Sequence, residues 1–426
     1  MPMNTKMILT AMFVLSALLM AAPAQGATLY VATNGSDGNP CSQAAPCASF
    51  NGAYSKAAGG DTVIIAGGTY GNQSLTAATK GSVVTFQAAP GASVTIASLY
   101  INTRFVEVQN VTSTGRVDIM PSNNLWVTPT VNHITLRNVS GKSMMIVAED
   151  VLVQGGRYGG FDGCVEANQE DVIDVWQLPD SGGTYHASSR VTFDGVVVHD
   201  ITDHNNTCSD VSGSANGRHV DCMQILAGHF ITVRNSIFYN CATSDIIARP
   251  FRDSLDNLTF DNNFFGDVLH PGAALNLGAS GDTFGGGNVV RNNYIASTGA
   301  TCQPAGCLKY YGNIMSTGSC GAGITYDGNV FAESWSAVCG TNGKRGQPSF
   351  VGPTPAPGYL NGIQPNHHLV SNDTVATAAG SLVTFPATDI DGEPRPTTGR
   401  PDAGADQRNS VTSRPNPPTN LQVVVQ

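Results

Sequence analysis

Between Phe105 and Ala332 one short phrase keeps returning: apolar, any, apolar, any, Asn or Gly, then one or more large apolar residues. It reads Val106-Glu-Val-Gln-Asn110-Val, Ile134-Thr-Leu-Arg-Asn138-Val, Val151-Leu-Val-Gln-Gly155 and Val191-Thr-Phe-Asp-Gly195-Val. It returns as Ile231-Thr-Val-Arg-Asn235-Ser-Ile and Leu258-Thr-Phe-Asp-Asn262-Asn-Phe, with looser copies at Asn288-Val-Val-Arg-Asn292 and Ile324-Thr-Tyr-Asp-Gly328. The Asn/Gly positions are 28, 17, 40, 40, 27, 30 and 36 residues apart. Repeats of this size mark a stacked architecture, because one unit cannot bury its own apolar face. The period within each copy is two, so the unit is a strand, and its closing Asn or Gly suits a turn with positive φ. The chain reads as a solenoid of strands.

Composition agrees. Glycine is abundant (48 residues), charged residues make up 12%, and the helix formers Glu and Lys are scarce. Thr, Val, Asn and Ser fill the repeats, which suits short strands and tight turns. Ahead of them, Lys6, the apolar run Met7 to Met20 and Ala22-Pro-Ala24 have the order of an export signal, residues 1–24. That run is short for a bilayer, and no later stretch reads as a membrane span. Ten cysteines, all beyond the signal, suit an oxidising compartment. Cys41/Cys47 and Cys302/Cys307 are close enough to staple loops, Cys222/Cys241 could join adjacent coils, and Cys320/Cys339 could close a late loop; spacing alone does not fix the pairing. No pair has zinc-site spacing. A net charge of −10 repels polyanions at long range, which argues against nucleic acid as a partner. The expected product is a secreted or cell-surface monomer.

Thr28-Leu-Tyr-Val-Ala32 reads as a strand. Ser49 is placed to cap a short amphipathic helix through Ala57, and residues 28–80 form an N-terminal cap over the first coils. Residues 81–345 carry the stack, 346–408 a closing segment, and 409–426 a proline-rich linker that could open a further domain. Between copies of the phrase lie further strands, among them Asp174-Val-Trp176, His219 to Ile225, Asp245-Ile-Ile247 and Cys307-Leu-Lys-Tyr310, which we read as one second sheet. Long insertions at Leu178–Arg190 and Thr202–Arg218 flank the same middle coils, where a cleft is expected.

These elements resemble the right-handed parallel β-helix, pectate-lyase-like superfamily. The likeness rests on Leu29-Tyr-Val-Ala with Gly35-Ser-Asp37, on Gly60-Asp-Thr-Val-Ile with Gly68-Thr-Tyr70, and on the repeated strands. Asp389-Ile-Asp-Gly-Glu-Pro-Arg-Pro396 with Asp402-Ala-Gly-Ala-Asp406 is similar to segments that close such helices in secreted bacterial proteins. The resemblance implies fold more than activity, since the superfamily holds lyases, hydrolases, epimerases, tailspikes and adhesins.

The densest polar cluster runs from Glu166 to Arg252. Equivalent outward positions on neighbouring coils stand about 4.8 Å apart, so Asp174, Asp221 and Asp245 are expected to form a ladder of carboxylates. Like charges at that spacing need a cation, an arginine or a raised pKa, and calcium, a hard ion taking oxygen ligands, would satisfy them. The matching chemistry is β-elimination on an acidic, uronic-acid polysaccharide, which needs a neutralised carboxylate and a base above the sugar. The resembled lyases use lysine or arginine as base, with calcium held by acidic groups. By position the candidates here are Arg249, Arg252 and Lys309, with His219 as a conventional base, and Gln224, Trp176 and Tyr310 as sugar contacts.

Plainer readings stand beside these. His219 and Asp221 fit a hydrogen-bonded surface pair, Arg252 with Asp253 a solvated ion pair, and Lys309 a snorkelling lysine. Trp176 and Tyr310 could equally fill packing gaps. Asn110, Asn138, Asn235, Asn262 and Asn292 are structural, stacked at one corner, and Asp389-x-Asp391-Gly392 is a turn. The alternatives to a lyase are a non-catalytic glycan-binding or adhesin-like surface protein, and a glycoside hydrolase using Asp221 and Asp245. Against the hydrolase, the adjacent Asp-Asp, Gly-His-Gly and Arg-x-Lys of β-helical pectin hydrolases are absent; Gly228-His229 is followed by Phe230. P-loop, Rossmann, Gly-x-Ser-x-Gly and His-Glu-x-x-His patterns are absent too.

Overall fold

Each repeated phrase becomes a strand whose two apolar residues point inward, and the strands lie parallel, rung on rung. The computed structural model describes residues 26–127, 131–162, 171–202, 220–269, 272–279, 281–335, 337–352 and 364–408. The export signal, the tail 409–426, Cys164 and Cys208 fall outside them.

The winding has three faces, where the sequence suggested two sheets. One coil shows the plan: Ser189–Asp194 on the first face, Val197–Thr202 on the second, Asp221–Leu226 on the third, then Gly228–Arg234 on the first face again. First-face strands run in register from Thr28–Val31 to Ile324–Asp327. The inward column of Val108, Leu136, Val153, Phe193, Val233, Phe260, Val290, Tyr310 and Tyr326 follows that register and is buried throughout. Outward charges on this face pair between rungs, as in Arg137–Glu107 (2.6 Å), Arg234–Asp194 (3.0 Å) and Arg291–Asp261.

The phrase has a ninth copy. Leu308-Lys-Tyr-Tyr-Gly312 pairs with Asn288–Arg291 below and Ile324–Asp327 above, so it belongs to the first face. The expected second-sheet strand at Cys307–Tyr310 is therefore corrected, and the apparent 36-residue gap resolves into two ordinary steps.

The corner between first and second faces is made as the Asn/Gly rule requires. Asn110, Asn138, Gly155, Gly195, Asn235, Asn262, Asn292, Gly312 and Gly328 all have φ between +50° and +69°, a region open to Gly and tolerated by Asn. On the outside of this corner Asn138 Nδ2 donates to Asn110 Oδ1 (3.2 Å) and Asn262 Nδ2 to Asn235 Oδ1 (3.3 Å). The stronger ladder sits one residue later. Asn263, Asn293, Asn313 and Asn329 are fully buried; each of the first three amides donates to the next side-chain carbonyl at 2.9–3.0 Å, and the last donates to the Tyr310 carbonyl.

Helix Phe50–Lys56 covers the first coils, with Ser49 Oγ accepting the Gly52 N–H at 2.9 Å as N-cap. Four disulfides are present among the described residues: Cys41–Cys47, Cys222–Cys241, Cys302–Cys307 and Cys320–Cys339. No described helix is long and apolar enough to cross a membrane.

The closing segment straps along the asparagine corner. Asn262 Nδ2 donates to the Thr388 carbonyl and Asn292 Nδ2 to the Asp402 carbonyl. A Cβ on Gly328 would stand 2.5 Å from the Ser381 nitrogen, so glycine is required where the strap crosses. His367 stacks on Tyr294 with ring centroids 3.7 Å apart. These contacts of the described strap lie along that corner and the second face.

Candidate functional site

On the third face, alternate residues face out in one row: Tyr100, Asp118, Met145, Asp174, Gln224, Ile247 and Asn276 are successive register partners. Walls rise at the strand ends. The insertion after Trp176 folds into an antiparallel hairpin, Gln177–Pro179 against Tyr185–Ala187. Trp126 N–H donates to the Pro179 carbonyl (2.8 Å), and the Trp126 ring stacks on His186 at 5.4 Å. Gln177 Nε2 donates to the Phe251 carbonyl, tying the hairpin to the 250–254 loop. Beside that loop lies a cleft of about 340 Å³ lined by Pro250, Arg252, Asp253, Ser254, Gly281, Asp282 and Thr283.

The expected residues divide. Asp174 and Trp176 face outward and are half-buried, with Gln224 one rung from Asp174 and only 8% exposed. Arg249 ends its strand in a two-pronged pair with Asp282, 2.9 and 3.2 Å. These bonds hold the Arg249 guanidinium above its ordinary pKa, so it stays a cation. Arg252 is exposed, lies 4.5 Å over the Tyr185 ring and donates to the Tyr185 hydroxyl. His219 lies outside the described residues.

Three expectations are corrected. The carboxylate ladder does not form as one outward row. Asp221 is fully buried and shares the inward parity of Met223 and Ile225; its register partner is Ser244, while Asp174 faces Gln224. Lys309 is exposed on the first face, away from this row. Tyr310 points into the core, fully buried, with its hydroxyl 3.3 Å from Thr298 Oγ1, so its ring is closed to a sugar.

Asp245 is also fully buried, and among the described residues neither carboxylate oxygen finds a well-aligned hydrogen-bond partner. Burial, then the charges of Asp267 and Asp221, push its pKa well above the ordinary carboxylate range; the Gly266 amide, already spent on the Phe238 carbonyl, offsets this only in part. The folded state thus holds this proton more tightly than the unfolded chain does. The contribution of this one group to stability is fully present below the ordinary carboxylate pKa of about 4 and is lost as pH climbs toward the raised value. Asp245→Asn is expected to flatten that fall: in EDTA the variant should melt above the parent at neutral pH and match it in acid, as read by thermal unfolding across pH.

Sequence reading passed over Asp118, which shares the row with Asp174 two rungs away. Burial raises its pKa, opposed by Arg116 at 2.5 Å. Its outward place was readable in Val117-Asp-Ile119. The aromatic wall of Trp126, Tyr185 and Phe251 joins three distant loops and left no local signal.

Among solved structures the chain is similar to pectate lyase Pel9A, at 13% identity over 91% of this chain and 97% of that one, TM-score 0.50. The fold is a parallel β-helix. The β-helix is also similar to XylC solved with xylose (9% identity, 89% and 98% covered, TM-score 0.49). A family 6 alginate lyase, AlyGC, follows at 11% identity, 80% and 58% covered, TM-score 0.36. No family model matches the sequence, and no curated protein does. Identities this low speak to the fold alone.

Proposed function

We propose that this β-helix is a secreted polysaccharide lyase that cleaves an acidic, uronic-acid polysaccharide by β-elimination on its third face. The observation that carries the reading is the outward row itself: half-buried Asp118 and Asp174, with Gln224 one rung on and Trp176 beside them, on the face whose strand ends carry Arg249 and lead to Arg252. Elimination needs the uronate charge neutralised and a base over the ring. Arg252, spread over Tyr185, supplies a planar fork for a carboxylate. Arg249 stays protonated beside Asp282, which suits recognition and disqualifies it as the proton acceptor. Asp174, outward in mid-row, is the base we assign, and Trp176 offers a ring face to a sugar. The four disulfides fit export into an oxidising compartment.

Calcium is proposed at Asp245 rather than at the expected ladder: its buried carboxylate feels the charges of Asp267 and Asp221, which a hard cation beside it would relieve. Bound there, it would neutralise charge near the row. Calcium should then raise the melting temperature of the parent and leave that of Asp245→Asn unmoved.

Turnover is tested on pectate, alginate and glycosaminoglycans, with and without EDTA, by the ultraviolet absorbance of unsaturated product. Asp174→Asn is expected to lower kcat about 10³-fold, and Trp176→Ala to raise KM. A folded protein that yields no unsaturated product across that panel refutes the lyase. One observation favours a second reading: Asp118, protonation-prone, and Asp174 stand about 9–10 Å apart across two rungs, near the carboxylate spacing of an inverting hydrolase. That enzyme would release reducing ends without absorbance.

A further inference from the structure

The strap holds a second cluster, on the asparagine-corner side of the molecule and separate from the third face. His368, Asp391 and Asp406 bring one ligand atom each within 4.8 Å of one another, and His368 Nε2 lies 3.0 Å from Asp391 Oδ2. Asp406 is buried and accepts the Leu369 N–H through Oδ2 at 2.7 Å; Asp391 is exposed, so the cluster opens to water on one side.

The imidazole orientation is fixed by its neighbour. Asn366 Oδ1 accepts the backbone N–H of His368 at 3.1 Å, and a backbone N–H can only donate. The same Oδ1 also meets His368 Nδ1, so Nδ1 is the ring's donor nitrogen. Nε2 therefore faces the two carboxylates, 3.0 Å from Asp391 Oδ2, where either a proton on the ring or a bound cation balances their charge. Metal-binding histidines are held in this way, with the far ring N–H on a carbonyl oxygen. Asp391 is oriented in turn, its backbone N–H donating to Asp389 Oδ1 at 3.0 Å within the turn closed by Gly392 at φ +83°.

We propose that His368 Nε2, Asp391 and Asp406 form a site for a divalent transition-metal cation that clips the strap into its folded path. One nitrogen with two carboxylates is a borderline donor set. It suits Zn²⁺ or Mn²⁺, whereas Ca²⁺ and Mg²⁺ take oxygen ligands throughout. The cation would tie together residues 23 and 15 positions apart, stabilising the folded state by mass action.

The test uses the whole protein, stripped with EDTA and dialysed, titrated with Zn²⁺ or Mn²⁺ alone in a calorimeter and a thermal melt. The expected result is one site per chain, a melting temperature that rises with metal, and little response to Mg²⁺. Asp391→Asn should fold, its side chain being exposed, and weaken binding about tenfold or more; His368→Gln should abolish it. Asp245→Asn should keep the full response, which separates this site from the third-face cluster. Absence of binding by the parent overturns the proposal, as does equal binding by all three variants. So does a His368 ring that titrates as a persistent imidazolium and ignores metal.

Discussion

Replacing Asn313 with alanine is expected to cost about 3–5 kcal/mol of stability, through loss of several buried hydrogen bonds. Its amide donates to the Val290 carbonyl (2.9 Å) and to Asn329 Oδ1 (3.0 Å), and its Oδ1 accepts both the backbone and side-chain N–H of Asn293. Alanine removes all four and leaves the backbone N–H of Asn293 orphaned in a site without water access. The comparison is Asn138→Gly. Asn138 is at an equivalent corner one position earlier, with φ +50° and one exposed side-chain bond of 3.2 Å. Glycine adopts that φ freely, so the change should cost under about 1 kcal/mol. Denaturant unfolding of both variants decides the matter. Similar losses would mean that the buried amides are not what holds the rungs.

The second large effect is expected at Arg395, which is buried and reaches across from the strap to the stack. Its guanidinium donates to Asn262 Oδ1 (3.0 Å) and to the carbonyls of Gly404 (2.9 Å), Ala405 (3.0 Å) and Asp402 (3.3 Å), with Gln407 Oε1 at 3.4 Å. Burial pulls its pKa down to about 10, against the pull of Asp389, Asp402, Asp406 and Asp261, so it remains charged at neutral pH. Arg395→Met removes a cation from among those four carboxylates, and breaking buried ion contacts of this kind costs about 3–5 kcal/mol. Lysine should rescue little, since one ammonium cannot span five acceptors set for a planar fork. Limited proteolysis should cut the strap of Arg395→Met first, with the first-face rungs resisting longer. If strap and stack are cleaved together, the two are one cooperative unit.

The first face was legible because its rules are local. Alternation at Val191-Thr-Phe193 sets the inward column, and the following Asn or Gly sets the corner. The copy at Leu308–Gly312 obeyed the same grammar and escaped notice because its tyrosines read as surface residues. The error on Asp221 was also one of parity, since it alternates with Met223 and Ile225. Asp245 was different: its parity points outward, yet it is buried beside the Cys222–Cys241 disulfide, which no periodicity reports. The wall around Asp174 is built from residues near 126, 185 and 251, and only the winding brings them together. The hairpin insertion was visible by length, whereas its contacts with Trp126 and Phe251 were not.

The three connections in each coil are unequal. The bend at the asparagine ladder is always short, and an extra residue there would throw every amide above it off its partner. The passage from second to third face vanishes where Tyr294–Ala300 runs on as one strand, takes two residues at 242–243 and eighteen at 203–220, with no change of register on either side. Variation in sugar preference can therefore accumulate in that passage while the scaffold stays untouched, so exchanging such loops is the natural way to redirect this protein toward another polymer.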